Sequence, residues 1–84
     1  MKIPKKLKIG GHIVSIRLSD DIEDNGFSDS QRNEIVLNKK LPQSQLEATL
    51  IHEIFHFLNT TIKHDLLDSL SEQFYQVMKD NKLI

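Results

Sequence analysis

Two histidines four residues apart, with a glutamate beside the first, are the residues of this chain best suited to chemistry. Residues 49–56 read Thr-Leu-Ile-His-Glu-Ile-Phe-His, which contains the pattern His-Glu-x-x-His. On a helix, residues four apart lie one above the other on one face. His52 and His56 can therefore offer two imidazole nitrogens to a single metal ion. Glu53 sits about 100° round the helix from His52. It can reach a water on that ion without having to bind the ion itself. A catalytic zinc uses this arrangement: nitrogen ligands, one open position for water, and a carboxylate to take the water's proton. The expected cofactor is Zn2+, with Glu53 as general base.

Such a site takes a third protein ligand. In one extended motif a further histidine follows after x-x-Gly-x-x. Here the glycine position is Asn59 and the histidine position is Ile62, so that option is excluded. His64 is close in sequence but is expected at a loop–helix junction, and is not the favoured third ligand. Asp65, Asp68 and Glu72 recur at spacings of three and four on the polar side of a second helical segment. A carboxylate from there can cross to the metal, and periodicity does not choose among the three.

The elements that must carry these residues follow from pattern. Leu46, Leu50, Ile54, Phe57 and Leu58 form an apolar stripe at helical spacing, with His52 and His56 on the opposite side. Pro42 suits a first turn, and Ser44-Gln45-Leu46-Glu47 fits a capping box. The first helix is expected to start between 42 and 45 and to run to about Leu58. Asn59-Thr60-Thr61 ends it. A second helix is expected from about Asp65 to Met78, with Leu66, Leu67, Leu70, Phe74 and Val77 recurring at helical spacing. A short connection makes the two pack antiparallel.

Upstream, Leu7 and Ile9 alternate with lysine, and Val14, Ile16 and Leu18 alternate with Ser15 and Arg17. Gly10-Gly11 between them is a two-residue hairpin signal. His12 is expected at an exposed strand end rather than at a metal. Residues 19–30 read as a polar loop turning at Asn25-Gly26, with Ile22 and Phe27 as anchors. The carboxylates Asp20, Asp21, Glu23 and Asp24 do not have the spacing of an EF-hand loop. Residues 31–38 read as a third strand, with Ile35 and Leu37 on one face. Beside a metal cleft, such a strand can hold a peptide as one more strand.

The 84 residues, without cysteine and with a net charge of −1, make one small domain with one core. Disulfides and a thiolate metal site are excluded. A bound metal would help stabilise so small a chain. Lys2, Lys5, Lys6 and Lys8 form a local basic patch, best read as a solvated strand edge. Near-neutral charge argues against nucleic acid as a partner. Neither a signal-peptide core nor a membrane-spanning run is present, so no membrane role and a cytoplasmic location are expected.

The segment Thr49 to His56, followed by Leu66-Leu67-Asp68-Ser69-Leu70 and by Phe74 to Asn81, resembles small zinc metallopeptidase-like proteins of phages and mobile elements. These look like minimal relatives of the ImmA/IrrE metallopeptidases. The resemblance takes in Gly-Gly-His at 10–12 and Glu34-Ile35-Val36-Leu37, and so spans most of the chain. Its pattern implies an acidic third ligand at the position of Asp68, with Glu72 as the alternative. Phe57-Leu58-Asn59 departs from it, because smaller residues are expected after the second histidine.

The expected fold is α+β and minimal zincin-like: a small, mostly antiparallel three-stranded sheet packed on two helices, with residues 1–84 as one domain. The expected function is zinc-dependent peptide hydrolysis, with a phage or host regulator as substrate if the resemblance extends that far. The alternative is a catalytically inactive peptide-binding module with the same cleft. A nucleic-acid accessory role for the N-terminal lysines is a third reading.

Overall fold

The computed structural model describes every residue except Thr60 and Ile62. The chain runs β1 (Lys6–Ile9), β2 (His12–Ser19), β3 (Gly26–Asp29), β4 (Glu34–Asn38), α1 (Gln43–Leu58) and α2 (His64–Asp80). β1 and β2 form the expected hairpin, with Ile9 opposite His12. Gly10 and Gly11 close it at φ of +58° and +84°, the left-handed pair that a tight hairpin turn requires. His12 is exposed at the strand end.

The sheet departs from the expected one in three ways. It has four strands, in the order β1-β2-β4-β3. The extra strand, β3, lies inside the segment read as a loop and pairs antiparallel with β4. Its four residues Gly-Phe-Ser-Asp carry one large apolar side chain, too little for an alternating pattern. β2 and β4 pair in parallel, Ile16 beside Ile35 and Leu18 beside Leu37. The intervening chain crosses to the far side of β4 before turning back, so the sheet is mixed. β4 is consequently interior, with Ile35, Val36 and Leu37 all fully buried. Hydrogen bonded along both edges, it cannot accept a peptide strand. The free edges belong to β1, where the lysines lie, and to β3.

Asn38 ties the acidic loop to this frame. Its buried amide donates to the backbone oxygens of Ile22 (3.3 Å) and Asp24 (3.1 Å). Gly26 is needed for close approach. A Cβ there would lie 2.8 Å from the Val36 carbonyl oxygen and 3.0 Å from the Thr49 methyl. The absence of a side chain lets β3 lie flat between β4 and α1.

α1 covers one face of the sheet. Leu46 and Leu50 join Ile9, Val14, Ile16, Ile35 and Leu37 in the core, with Ile54 and Phe57 packed at its margin. Leu58 is not in this stripe; it is 60% exposed. Pro42 is the N-cap, and no side chain caps the helix. The expected capping box is not formed, because Glu47 turns inward instead. At the other end Asn59 is the C-cap, and its Oδ1 accepts bonds from the Thr61 N–H and hydroxyl. Of the expected helix breaker, Thr60 lies outside the described residues.

Among the described elements α2 packs against α1 alone. The contacts of Glu47 with Tyr75, and of His52 with Asp68, show that the helices run antiparallel. Only Leu67 and Ser71 of α2 are buried. Of the five apolar positions recurring along α2, Leu67 is buried, whereas Leu66, Leu70, Phe74 and Val77 are 43–61% exposed. Phe74 meets Phe55 of α1 edge-on, 5.7 Å between centroids; the rest of the stripe has no second helix over it among the described residues.

Candidate metal centre

His52 and His56 leave α1 on the side away from the core, as their spacing requires. His64, the first residue of α2, is brought against them by the antiparallel turn. The three imidazole centroids form a near-equilateral triangle, 5.0 Å (His52–His56), 5.2 Å (His52–His64) and 5.3 Å (His56–His64) on a side. One nitrogen from each ring lies within 4.8 Å of the other two. Among the described residues this is the one group of three or more ligand-type side chains gathered closely enough to hold an ion.

The chemistry of the donor set fits a metal. Burial lowers the pKa of His52; Asp68 and Glu72 oppose that, while His56 and His64 add to it. His56 is lowered chiefly by burial and also by His64, against Asp68. Both rings are therefore biased to the neutral form that ligates. Three nitrogens without sulfur suit a borderline transition metal such as zinc.

Asp68 sits at the same place but on a different atom. Its Oδ1 is 3.0 Å from His52 Nδ1. The Ser71 hydroxyl is 3.5 Å from that nitrogen and donates to the Asp68 backbone oxygen at 3.2 Å. Glu72 lines the wall of the cleft. Nothing local to residue 64 reveals the helix–helix docking that carries His64 to the other two rings. Its one available signal was position, at the head of a helix that must fold back on α1.

Glu53 is buried at 5% exposure. Its Oε2 lies 3.9 Å from His52 Nε2. Burial raises its pKa to about 6, with a smaller upward push from Asp68; the Ser28 hydroxyl and His64 pull it down. A carboxyl poised near neutrality suits a group that must take a proton and give it back.

These groups line one open cleft of about 920 Å³. β3 forms one wall through Gly26, Phe27 and Ser28, and α2 forms the other through Asp68 and Glu72. Glu23 and Asp24 stand at its mouth, and no lysine or arginine lines it. No helix among the described residues is long and apolar enough to cross a membrane. Compared with protein-family models, curated proteins and solved structures, the chain matches none.

Proposed function

We propose that this chain is a metal-dependent peptide hydrolase in which His52, His56 and His64 hold a divalent ion, zinc by chemical preference, and Glu53 is the general base. The observation that carries this reading is the convergence of three imidazole nitrogens within 4.8 Å, with the buried Glu53 carboxylate alongside. When bound, the ion supplies Lewis acidity toward water and the scissile carbonyl. Glu53 takes a proton from the attacking water and returns it to the leaving amine as the C–N bond breaks. Ser28 of β3 faces the same cleft and lowers the pKa of Glu53. Asp68, the ligand implied by the metallopeptidase resemblance, stands in this reading beside His52 instead, and Glu72 stays on the wall.

The substrate is an extended peptide segment. The free edge of β3 borders the cleft, and a peptide can add to it through main-chain hydrogen bonds. β4, expected from the sequence to hold the peptide, lies between β2 and β3 and has no open edge. Glu23, Asp24 and Glu72 favour basic side chains on that peptide. The motif resemblance to phage metallopeptidases adds a regulatory protein as the natural class of target.

Metal analysis of the purified chain, with turnover on a mixed peptide library, tests this. One equivalent of zinc and cleavage that disappears in Glu53→Gln while zinc stays bound are the expected results. No zinc after reconstitution would end the reading. Zinc and peptide binding that survive in both proteins, with no cleavage in either, would favour the second reading: a peptide-binding module on the same β3 edge.

A further inference from the structure

We infer that Asp68 is a positioning residue for His52, holding its ring so that Nε2 is the ligating nitrogen. This deepens the proposed metal site and rests on that reading. The Asp68 carboxylate reaches 3.0 Å from Nδ1, close enough for its charge to act directly on that nitrogen. A negative charge this close to Nδ1, and farther from Nε2, favours the tautomer with the proton on Nδ1. The other nitrogen, Nε2, then keeps its lone pair. Nε2 is also the nitrogen on the side of Glu53, 3.9 Å from Oε2. The two nitrogens of an imidazole point away from one another. A carboxylate seated on Nδ1 therefore does not share an ion bound at Nε2.

The support behind Asp68 is itself fixed. Ser71 is 2% exposed, and its hydroxyl donates to the Asp68 backbone oxygen, which anchors this turn of α2 beside the ring. The carboxylate is half-exposed, at 53%, so replacing it does not open the core. A carboxylate behind a ligating histidine fixes the tautomer and raises ligand basicity, and its loss typically costs 10–100-fold in metal affinity.

The test compares full-length wild type with Asp68→Ala, Asp68→Asn and His64→Ala. The two readouts are zinc affinity, by competition with a chelating dye, and the His52 tautomer in the metal-free protein, by long-range nitrogen–proton NMR. Asp68→Ala is expected to keep one equivalent of zinc with affinity reduced about 10–100-fold. Asp68→Asn, whose amide oxygen keeps a partial negative charge beside Nδ1, should recover part of that loss. His64→Ala should lose stoichiometric zinc. In metal-free wild type His52 should be the Nδ1–H form, shifting toward a mixture in Asp68→Ala. Loss of zinc in Asp68→Ala with retention in His64→Ala would make Asp68 a ligand and overturn the inference. An Nε2–H tautomer in wild type would overturn it as well, even if the chain bound no zinc and the metal reading had failed separately.

Discussion

α1 carries two buried glutamates, and they are opposites. Glu47 is 1% exposed and Glu53 is 5% exposed. Burial pushes both carboxyls up. At Glu47 that push is overwhelmed by hydrogen bonds from Gln43, Tyr75 and the Met1 α-amino group and by the charge of Lys79, and its pKa falls to about 2. Glu53 has the Ser28 hydroxyl and the influence of His64, and its pKa stays up at about 6. Glu53 sits deeper among its neighbours and has fewer donors, and both differences separate the reactive acid from the structural one. Glu47 joins both helices and the start of the chain, with Met1 N at 3.1 Å, Tyr75 Oη at 2.8 Å and Lys79 Nζ at 3.4 Å. Glu53 is left with capacity to spare.

The largest expected effect is on turnover. Glu53→Gln should lower peptide hydrolysis by about 10²–10⁴-fold with zinc content unchanged. It should also stabilise the metal-free fold. The pKa of Glu53 is raised, so its contribution is most favourable below the unfolded value of about 4.5 and is lost as pH rises through about 6. At pH 8 the variant, denatured in urea with chelator present, should be more stable by roughly 1–2 kcal/mol. A destabilised variant would mean that Glu53 has donors of its own, and the contrast would collapse.

Glu47→Gln should do the reverse, costing roughly 2–4 kcal/mol at pH 7 while leaving zinc affinity alone. Here the folded pKa is depressed. The stability is present above about 4.5 and is lost as pH falls toward about 2. Urea titrations at pH 7 and pH 3 should therefore show wild type and variant converging in acid. Equal gaps at both pH values would break the assignment.

Smaller changes sharpen the comparison one donor at a time. Tyr75→Phe removes the 2.8 Å bond to Glu47 and should cost about 1–3 kcal/mol, read from the shift in urea midpoint. Ser28→Ala removes a hydrogen bond that lowers the pKa of Glu53. Stability should barely change, but the acid limb of the pH–rate profile should move to higher pH. An unmoved limb would remove Ser28 from the site.

Local pattern made much of this legible. The His-Glu-x-x-His register, the Gly10-Gly11 hairpin and the extent of α1 are written in neighbouring residues. What stayed hidden depends on distant ones. β3 has too few apolar side chains to announce a strand, and Gly26 looked like a turn residue when its purpose is room for the Val36 carbonyl and Thr49. The parallel pairing of β2 with β4 cannot be read from either strand alone. Glu47 resembled half of a capping box because its true partners, Tyr75 and Lys79, lie on the other helix. His64 was set aside because its distance from His52 along the chain says nothing of how α2 folds back.

The way α2 is held has a consequence for survival of the chain. Among the described elements it rests on one neighbour, buries two residues and leaves Leu66, Leu70 and Phe74 largely exposed. An element so thinly covered opens at a free energy well below that of global unfolding. Its amide protons should exchange before those of β4, and a protease should make its first cut there. A ligand that binds only the docked form at 1,000 times its dissociation constant adds about 4 kcal/mol to that opening. If His64 closes the metal site, the ion is also the latch, and the lifetime of the chain among proteases becomes a measure of the free metal around it.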